Sequence, residues 1–361
     1  MNPVTSLYLD LIRALAAVVV FLHHGGMGFF SDNLGWLPPT GHEMVVVFFV
    51  LSGFVIAFSA DRAPGSWRIF GADRLSRLWS VALPALLLSA LLDFIGHRLA
   101  PDVYQAQAAL DHAPVRYGLA ATFLNQSWHL ASKPGSNGPF WSLAYEFWYY
   151  ALFAGWFYAR SMFGKIAAVI IFIVFTGWKI ALLLPVWLLG VGVFQLCRKA
   201  TVSAALGWCM ALVGGGMGFV WAFGIVPIPL LPVHWQAHAP HFFSSRFIPD
   251  LLLGLAVAIH FVGLDAALRR RSGPDKGHWC HRAIRWASGR SFSLYLFHMP
   301  ILVFISGVVS YDRSSTIAVM GLLLATLLVV LVLSELTEQR RDPWRRLMRR
   351  LFSVPEKIVR A

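Results

Sequence analysis

The chain has 361 residues, of which 58% are hydrophobic and only 13% charged, with a formal net charge of +13 at pH 7. Soluble chains carry roughly 25% charged residues, so this composition excludes one large water-soluble core and calls for a bilayer as second solvent. The positive excess would suit nucleic acid, but its distribution along the chain assigns it to membrane topology. Three cysteines (Cys197, Cys209, Cys280) make neither a disulfide framework nor a metal spacing.

Ten apolar runs approach the about 17–25 residues needed to cross a bilayer. They lie at 6–28, 43–60, 78–97, 140–158, 162–178, 180–196, 202–224, 248–265, 291–309 and 316–335. The pattern predicts an all-α, polytopic membrane protein of about ten transmembrane helices. The first run carries Arg13 and His24. Eleven helical steps make about three whole turns, which puts both on one face, roughly 16 Å apart. Ionisable groups in hydrocarbon cost roughly 2.5–3.5 kcal/mol or more, so both are expected to face a polar interior. His23 points about 100° away from that face. An arginine inside the run and the lack of a small-x-small cleavage site argue that the segment is retained and is not a signal peptide.

The second run contains Ser52-Gly53, a small pair on a bulky helix that close helix packing explains. At the entry to the third, Asp73-Arg74-Leu-Ser-Arg77 places two arginines three apart on one face at the cytoplasmic border. Their planar donor forks suit phosphate oxygens, although topology alone also accounts for them. With Arg13 on the same side, they would form a seat for a polyanionic cytosolic ligand. The 98–139 segment reads as the longest outward loop, placed to cover an outward-facing entrance.

Gly138-Pro139 opens the fourth run, and Glu146 follows one to two turns inside, among aromatics. A carboxylate there needs a partner, and His24 is the nearest ionisable group in expected depth. Such a pairing would orient the imidazole or raise its basicity; snorkelling of Glu146 to water is the alternative. The ninth run opens with Ser291-Phe-Ser-Leu-Tyr-Leu-Phe-His298-Met-Pro300. Pro300 is expected to kink this helix and free a carbonyl, and an embedded histidine such as His298 is often a satisfied core hydrogen-bonder.

With the N-terminus in the cytoplasm, inward segments carry 23 lysines and arginines against six outside, with Arg13 in a helix. Ten spans and two cytoplasmic termini are what the positive-inside rule then predicts. Residues 1–338 read as one transmembrane domain and 339–361 as a basic cytoplasmic tail in contact with anionic lipid. The outward segments 98–139 and 225–247, with Trp128, Trp235 and several histidines, are expected to select an acceptor, although interfacial tryptophans are common. No Ser-His-Asp or Cys-His arrangement and no Gly-rich phosphate loop are apparent. The chemistry suggested is general base catalysis on an incoming hydroxyl, without a covalent enzyme intermediate.

Together these motifs resemble the acyltransferase-3 family of integral membrane O-acyltransferases, to which bacterial O-antigen and exopolysaccharide acetylases belong. The matching pieces are Leu9-Asp10-Leu-Ile-Arg13-Ala with His24, Phe48-Phe-Val-Leu-Ser-Gly-Phe54, Arg74-x-x-Arg77, Trp141-Ser142-Leu-x-x-Glu146 and Tyr295-Leu-Phe-His-Met-Pro300, in family order. The resemblance implies transfer of an acetyl group from cytoplasmic acetyl-CoA to a hydroxyl of an extracytoplasmic or membrane-associated carbohydrate, such as a lipopolysaccharide or other envelope polysaccharide. It makes His24 the catalytic base, Glu146 a site residue, and Arg13, Arg74 and Arg77 coenzyme contacts. Asp10, His23, Ser52, Trp141, Ser142, Tyr295 and His298 are expected to be substrate-binding or structural. It implies a multi-pass protein of the inner membrane, in contact with lipid, with no metal and no nucleic-acid partner. Two departures stand out. Val45-Val46-Val47 replaces an acidic or polar position found in many members, and no fused esterase-like domain follows the last run. A compact acceptor, or a separate partner acyl-transfer protein, is therefore expected. The rival reading is a secondary transporter of a carbohydrate or lipid-linked intermediate, but the inverted repeats common in transporters are not evident.

Overall fold

A computed structural model describes residues 2–36, 39–62, 66–199, 201–225, 243–269, 271 and 277–354. The described residues are helical, without a β-strand. Helices α1 (Pro3–Gly25), α2 (Gly41–Arg62) and α3 (Trp67–Leu99) are followed by short α4 (Pro101–Gln107) and α5 (Ala113–Ala121). Then come α6 (Trp141–Tyr158), α7 (Met162–Lys199), α8 (Ala204–Ala222), α9 (Phe247–Leu268) and α10 (Trp279–Ser288). The last are α11 (Ser291–Val308), α12 (Thr316–Leu336) and α13 (Asp342–Leu351). Local sequence sets several starts: Ser66, Ser203 and Ser315 cap α3, α8 and α12 by accepting from the amides of Arg68, Leu206 and Ala318.

Eight helical stretches among the described residues are long and apolar enough to cross a membrane. Two features account for the difference from ten runs. The runs 162–178 and 180–196 lie in one 38-residue element, α7, interrupted at Gly177 (φ 70°, ψ −166°). Unbroken, α7 would be about 57 Å long, nearly twice the about 30 Å of a hydrocarbon core. Gly177 supplies the positive φ that breaks it, and an added Cβ would meet Trp128 at 2.8 Å. The run 140–158 is α6, an 18-residue helix whose tryptophans and tyrosines lower its hydropathy below that of the other spans.

Two further boundaries differ from the sequence expectation. Helix α3 starts at Trp67 instead of residue 78, so Arg74 and Arg77 lie two and three turns inside it and not on the loop before it. The segment 98–139, expected to be loop, contains α4 and α5, each opened by a proline (Pro101, Pro114) near its first position, where the missing N–H costs nothing.

The chain divides into two compact units. The first comprises Met1–His23, Trp36–Arg62 and Lys179–Ser291. Within it, α2 and α7 meet backbone to backbone: an added Cβ on Gly53 would fall 2.0 Å from the Trp187 carbonyl oxygen, and one on Gly190 2.0 Å from that of Val50. Trp187 Nε1 donates to Ser52 Oγ at 3.2 Å beside this contact. The second unit comprises His24–Gly35, Ala63–Trp178 and Phe292–Ala361. There α3 packs against α4, α5, α6 and α13. Phe123, Phe140 and Phe147 stack at its centre, with centroids 6.4 and 4.7 Å from Phe123. Many apolar side chains stay uncovered by protein, Ile317 on α12 being 87% exposed, as lipid-facing positions are.

Candidate active site

The second unit gathers most of the candidate residues. His24 stands in the last turn of α1, and its Nδ1 lies 3.0 Å from Nε2 of His298 on α11. The ring centroids are 5.0 Å apart at 42°. His298 is fully buried, and its Nδ1 lies 2.7 Å from the Leu294 carbonyl oxygen, one turn back on the same helix. The sequence directed attention to Glu146 as a partner of His24; the structure adds this second imidazole.

The turn that carries His298 is fixed from outside. Pro300 has no N–H, so the Leu296 carbonyl loses its helical donor. Asn137 Nδ2 replaces it at 3.0 Å and also donates to Ser89 Oγ on α3 at 3.1 Å. One turn before His298, Tyr295 donates to the Pro139 carbonyl at 2.9 Å and meets Ser142 Oγ at 2.8 Å. With the phenol proton on Pro139, the Ser142 hydroxyl is the donor to Tyr295. Trp141 stands edge-on to Tyr145, centroids 5.2 Å apart. Ser142, Tyr295 and Asn137 thus bind the start of α6 to α11, and for Asn137 the sequence pattern suggests no such role.

One turn farther along α6, the Glu146 carboxylate accepts from the Tyr150 hydroxyl. Both lie near enough to Arg74 to act on its charge, as do Asp73 and Arg77. Arg74 also lies over the Phe70 ring, 5.6 Å from its centroid. Arg74, Arg77 and Glu146 therefore belong to one partly buried cluster between α3 and α6. Next to Arg74 on α3, Asp73 receives Arg345 of α13 at 2.7 and 3.0 Å, and Arg349 lies 3.6 Å away.

The C-terminal end of α3 holds a second network that sequence patterns do not announce. Asp93, 2% exposed, accepts from Ser136 N at 2.9 Å, Ser136 Oγ at 2.6 Å and Tyr117 OH at 2.7 Å. Burial, with the Asp93 carboxylate beside it, pushes the Tyr117 phenol well above its ordinary pKa. Burial likewise pushes the nearby Lys133 ammonium down, against the pull of Asp93. This carboxylate ties the segment before Asn137 to α3.

The remaining predicted residues lie in the first unit. Arg13 donates to Asp10 at 3.4 Å, and Asp10 also receives Arg285 and, at 3.0 Å, Ser288 Oγ. His23 lies against Gly41, where an added Cβ would meet its ring at 2.4 Å. Close by in sequence, His42 Nε2 lies 2.9 Å from buried Asp250, and Arg246 pairs with Glu43 at 2.9 Å. Asp250 in the first turn of α9 was a visible signal, a lone carboxylate opening an apolar run. Among the described residues no group of three or more His, Cys, Asp and Glu is placed to share a metal ion. Of the segment 225–247, expected to face outward, residues 226–242, including Trp235, lie outside the described residues.

Comparisons with known proteins agree on one activity class. The acyltransferase-3 family model, described as an acyltransferase domain, matches residues 6–335. A similar curated protein is the acyltransferase MdmB of Streptomyces mycarofaciens, 32% identical over 157 residues, covering 40% of this chain and 38% of that protein. The match therefore spans well under half of the relative's length. No solved structure matches.

Proposed function

The chain belongs to this acyltransferase family, and on that premise we propose that it moves an acetyl group from cytoplasmic acetyl-CoA to a hydroxyl of an extracytoplasmic or membrane-associated carbohydrate, in the cell's inner membrane. The observation that carries the reading is the His24 imidazole, seated in a helix end and held by a second imidazole 3.0 Å away. A neutral imidazole so placed is suited to act as general base. His24 takes the proton of the acceptor hydroxyl as its oxygen bonds to the thioester carbon. The carbon–sulfur bond then breaks, and the same proton passes to the departing sulfur. Ester and free thiol are the products, and no covalent enzyme intermediate forms.

Arg74 and Arg77 are the proposed seat for the donor's phosphates, because guanidinium forks match phosphate oxygens and both sit in the same unit as His24. Glu146 accepts from Tyr150 in that cluster, and its carboxylate favours the charge of Arg74. The test is acetyl-labelled CoA given to inside-out vesicles that contain the protein and endogenous glycans. Label appearing covalently on a glycan supports the reading. Passage of unmodified carbohydrate across the membrane with no label on it would sink the enzyme in favour of a transporter.

A further inference from the structure

We infer that His298 is a positioning residue that sets the tautomer of His24 and thereby selects Nε2 of His24 as the basic nitrogen. The inference rests on the acyl-transfer reading for its consequence but not for its geometry. The Leu294 carbonyl oxygen can only accept, so His298 Nδ1, 2.7 Å away, must carry a hydrogen and donate it. Neutral imidazole has one N–H, so Nε2 of His298 is left as an acceptor. His24 Nδ1, 3.0 Å from that nitrogen, must then be the donor. The one hydrogen of neutral His24 is thereby assigned to Nδ1, and its lone pair lies on Nε2.

This order has a chemical use. A base must present a lone pair, and with the proton on the wrong nitrogen the same ring in the same place is inert. In serine hydrolases a carboxylate performs this orientation, and loss of the correct tautomer there costs about 10⁴ in kcat. A neutral imidazole supplies the acceptor without adding a fixed negative charge to an apolar interior, where such a charge is expensive. When His24 takes a proton on Nε2, its Nδ1–H to His298 becomes a charge-assisted, stronger bond. The pair therefore favours the state reached during transfer over the resting one.

His298 is itself held in register. Its helix turn is fixed where Pro300 frees the Leu296 carbonyl and Asn137 takes it up, and where Tyr295 is tied to Pro139 and Ser142. Full burial of His298 keeps water from substituting for its bond to the Leu294 carbonyl. These contacts give the proline and the tyrosine near His298 a common purpose, the placing of one nitrogen lone pair.

The experiment is nitrogen-15 spectroscopy of selectively histidine-labelled full-length protein in detergent, comparing wild type, His24→Ala, His298→Ala and His298→Gln, with kcat and KM measured on the same samples. The difference from His24→Ala identifies the His24 signals. Wild type should show His24 protonated on Nδ1. His298→Ala should shift it to the Nε2–H form and lower kcat by about 10²–10⁴ with little change in KM for acetyl-CoA. Gln, whose amide oxygen restores an acceptor at similar reach, should recover the Nδ1–H form and much of kcat, and it serves if the alanine variant misfolds. An Nε2–H signal in wild type, an unchanged signal in His298→Ala, or wild-type kcat in that variant would overturn the inference. The spectrum needs no turnover, so it reports the tautomer even if the acyl-transfer reading fails.

Discussion

Two histidines 274 residues apart in sequence share a hydrogen bond in space, and most of the proposed chemistry depends on what each nitrogen carries. Arg74 and Arg77 belong to the same scale. Hydrogen bonds to charged groups contribute about 1.5–3 kcal/mol each, and every 1.4 kcal/mol is about tenfold in affinity. Replacing Arg77 by Ala should therefore raise KM for acetyl-CoA by about 10- to 100-fold while leaving the His24 tautomer signal unchanged. A KM equal to wild type in steady-state assays would remove Arg77 from the donor seat. As candidates, His24 and Glu146 stand out in the sequence because ionisable residues inside apolar runs are expensive, and Arg74 and Arg77 because two arginines three apart precede such a run. Their partnerships do not: nothing local links His298 to His24, Asn137 to Leu296, or Tyr150 to a role beside Glu146.

Helices were more legible than their limits. Apolar runs locate every long helix among the described residues, since the bilayer sets a minimum length that composition reveals. The early start of α3 depended on a single cap, Ser66, and the break in α7 on one glycine meeting Trp128 from a distant segment. Ser52-Gly53 was read as a packing device, and at this position the backbones of α2 and α7 touch. An added methyl there must displace the Trp187 carbonyl at 2.0 Å, and overpacking of this kind costs about 1–3 kcal/mol. Gly53→Ala should lower the thermal midpoint of the purified protein clearly, whereas the same change at Gly216, with open space around it, should not. Equal midpoints for the two variants would mean that the α2–α7 contact relaxes freely.

For the molecule as a whole, charge and hydropathy explain more than any single motif. A chain this apolar is stable only where lipid covers positions such as Ile317, and its basic residues fall where inward loops are expected. Amphipathic α13, joined to Asp73 by Arg345 and Arg349, shows that part of the expected tail folds back onto the second unit. The family assignment gives the activity class, and the proposal built on it is acetyl transfer through His24. The most direct measurement is acetyl transfer from labelled acetyl-CoA by purified protein in proteoliposomes, wild type against His24→Ala, with glycan acceptor supplied. Loss of a general base costs about 10²–10⁴ in rate, so the variant should be inserted, folded and slower by that factor. Wild-type yield of acetylated glycan from His24→Ala would contradict the account.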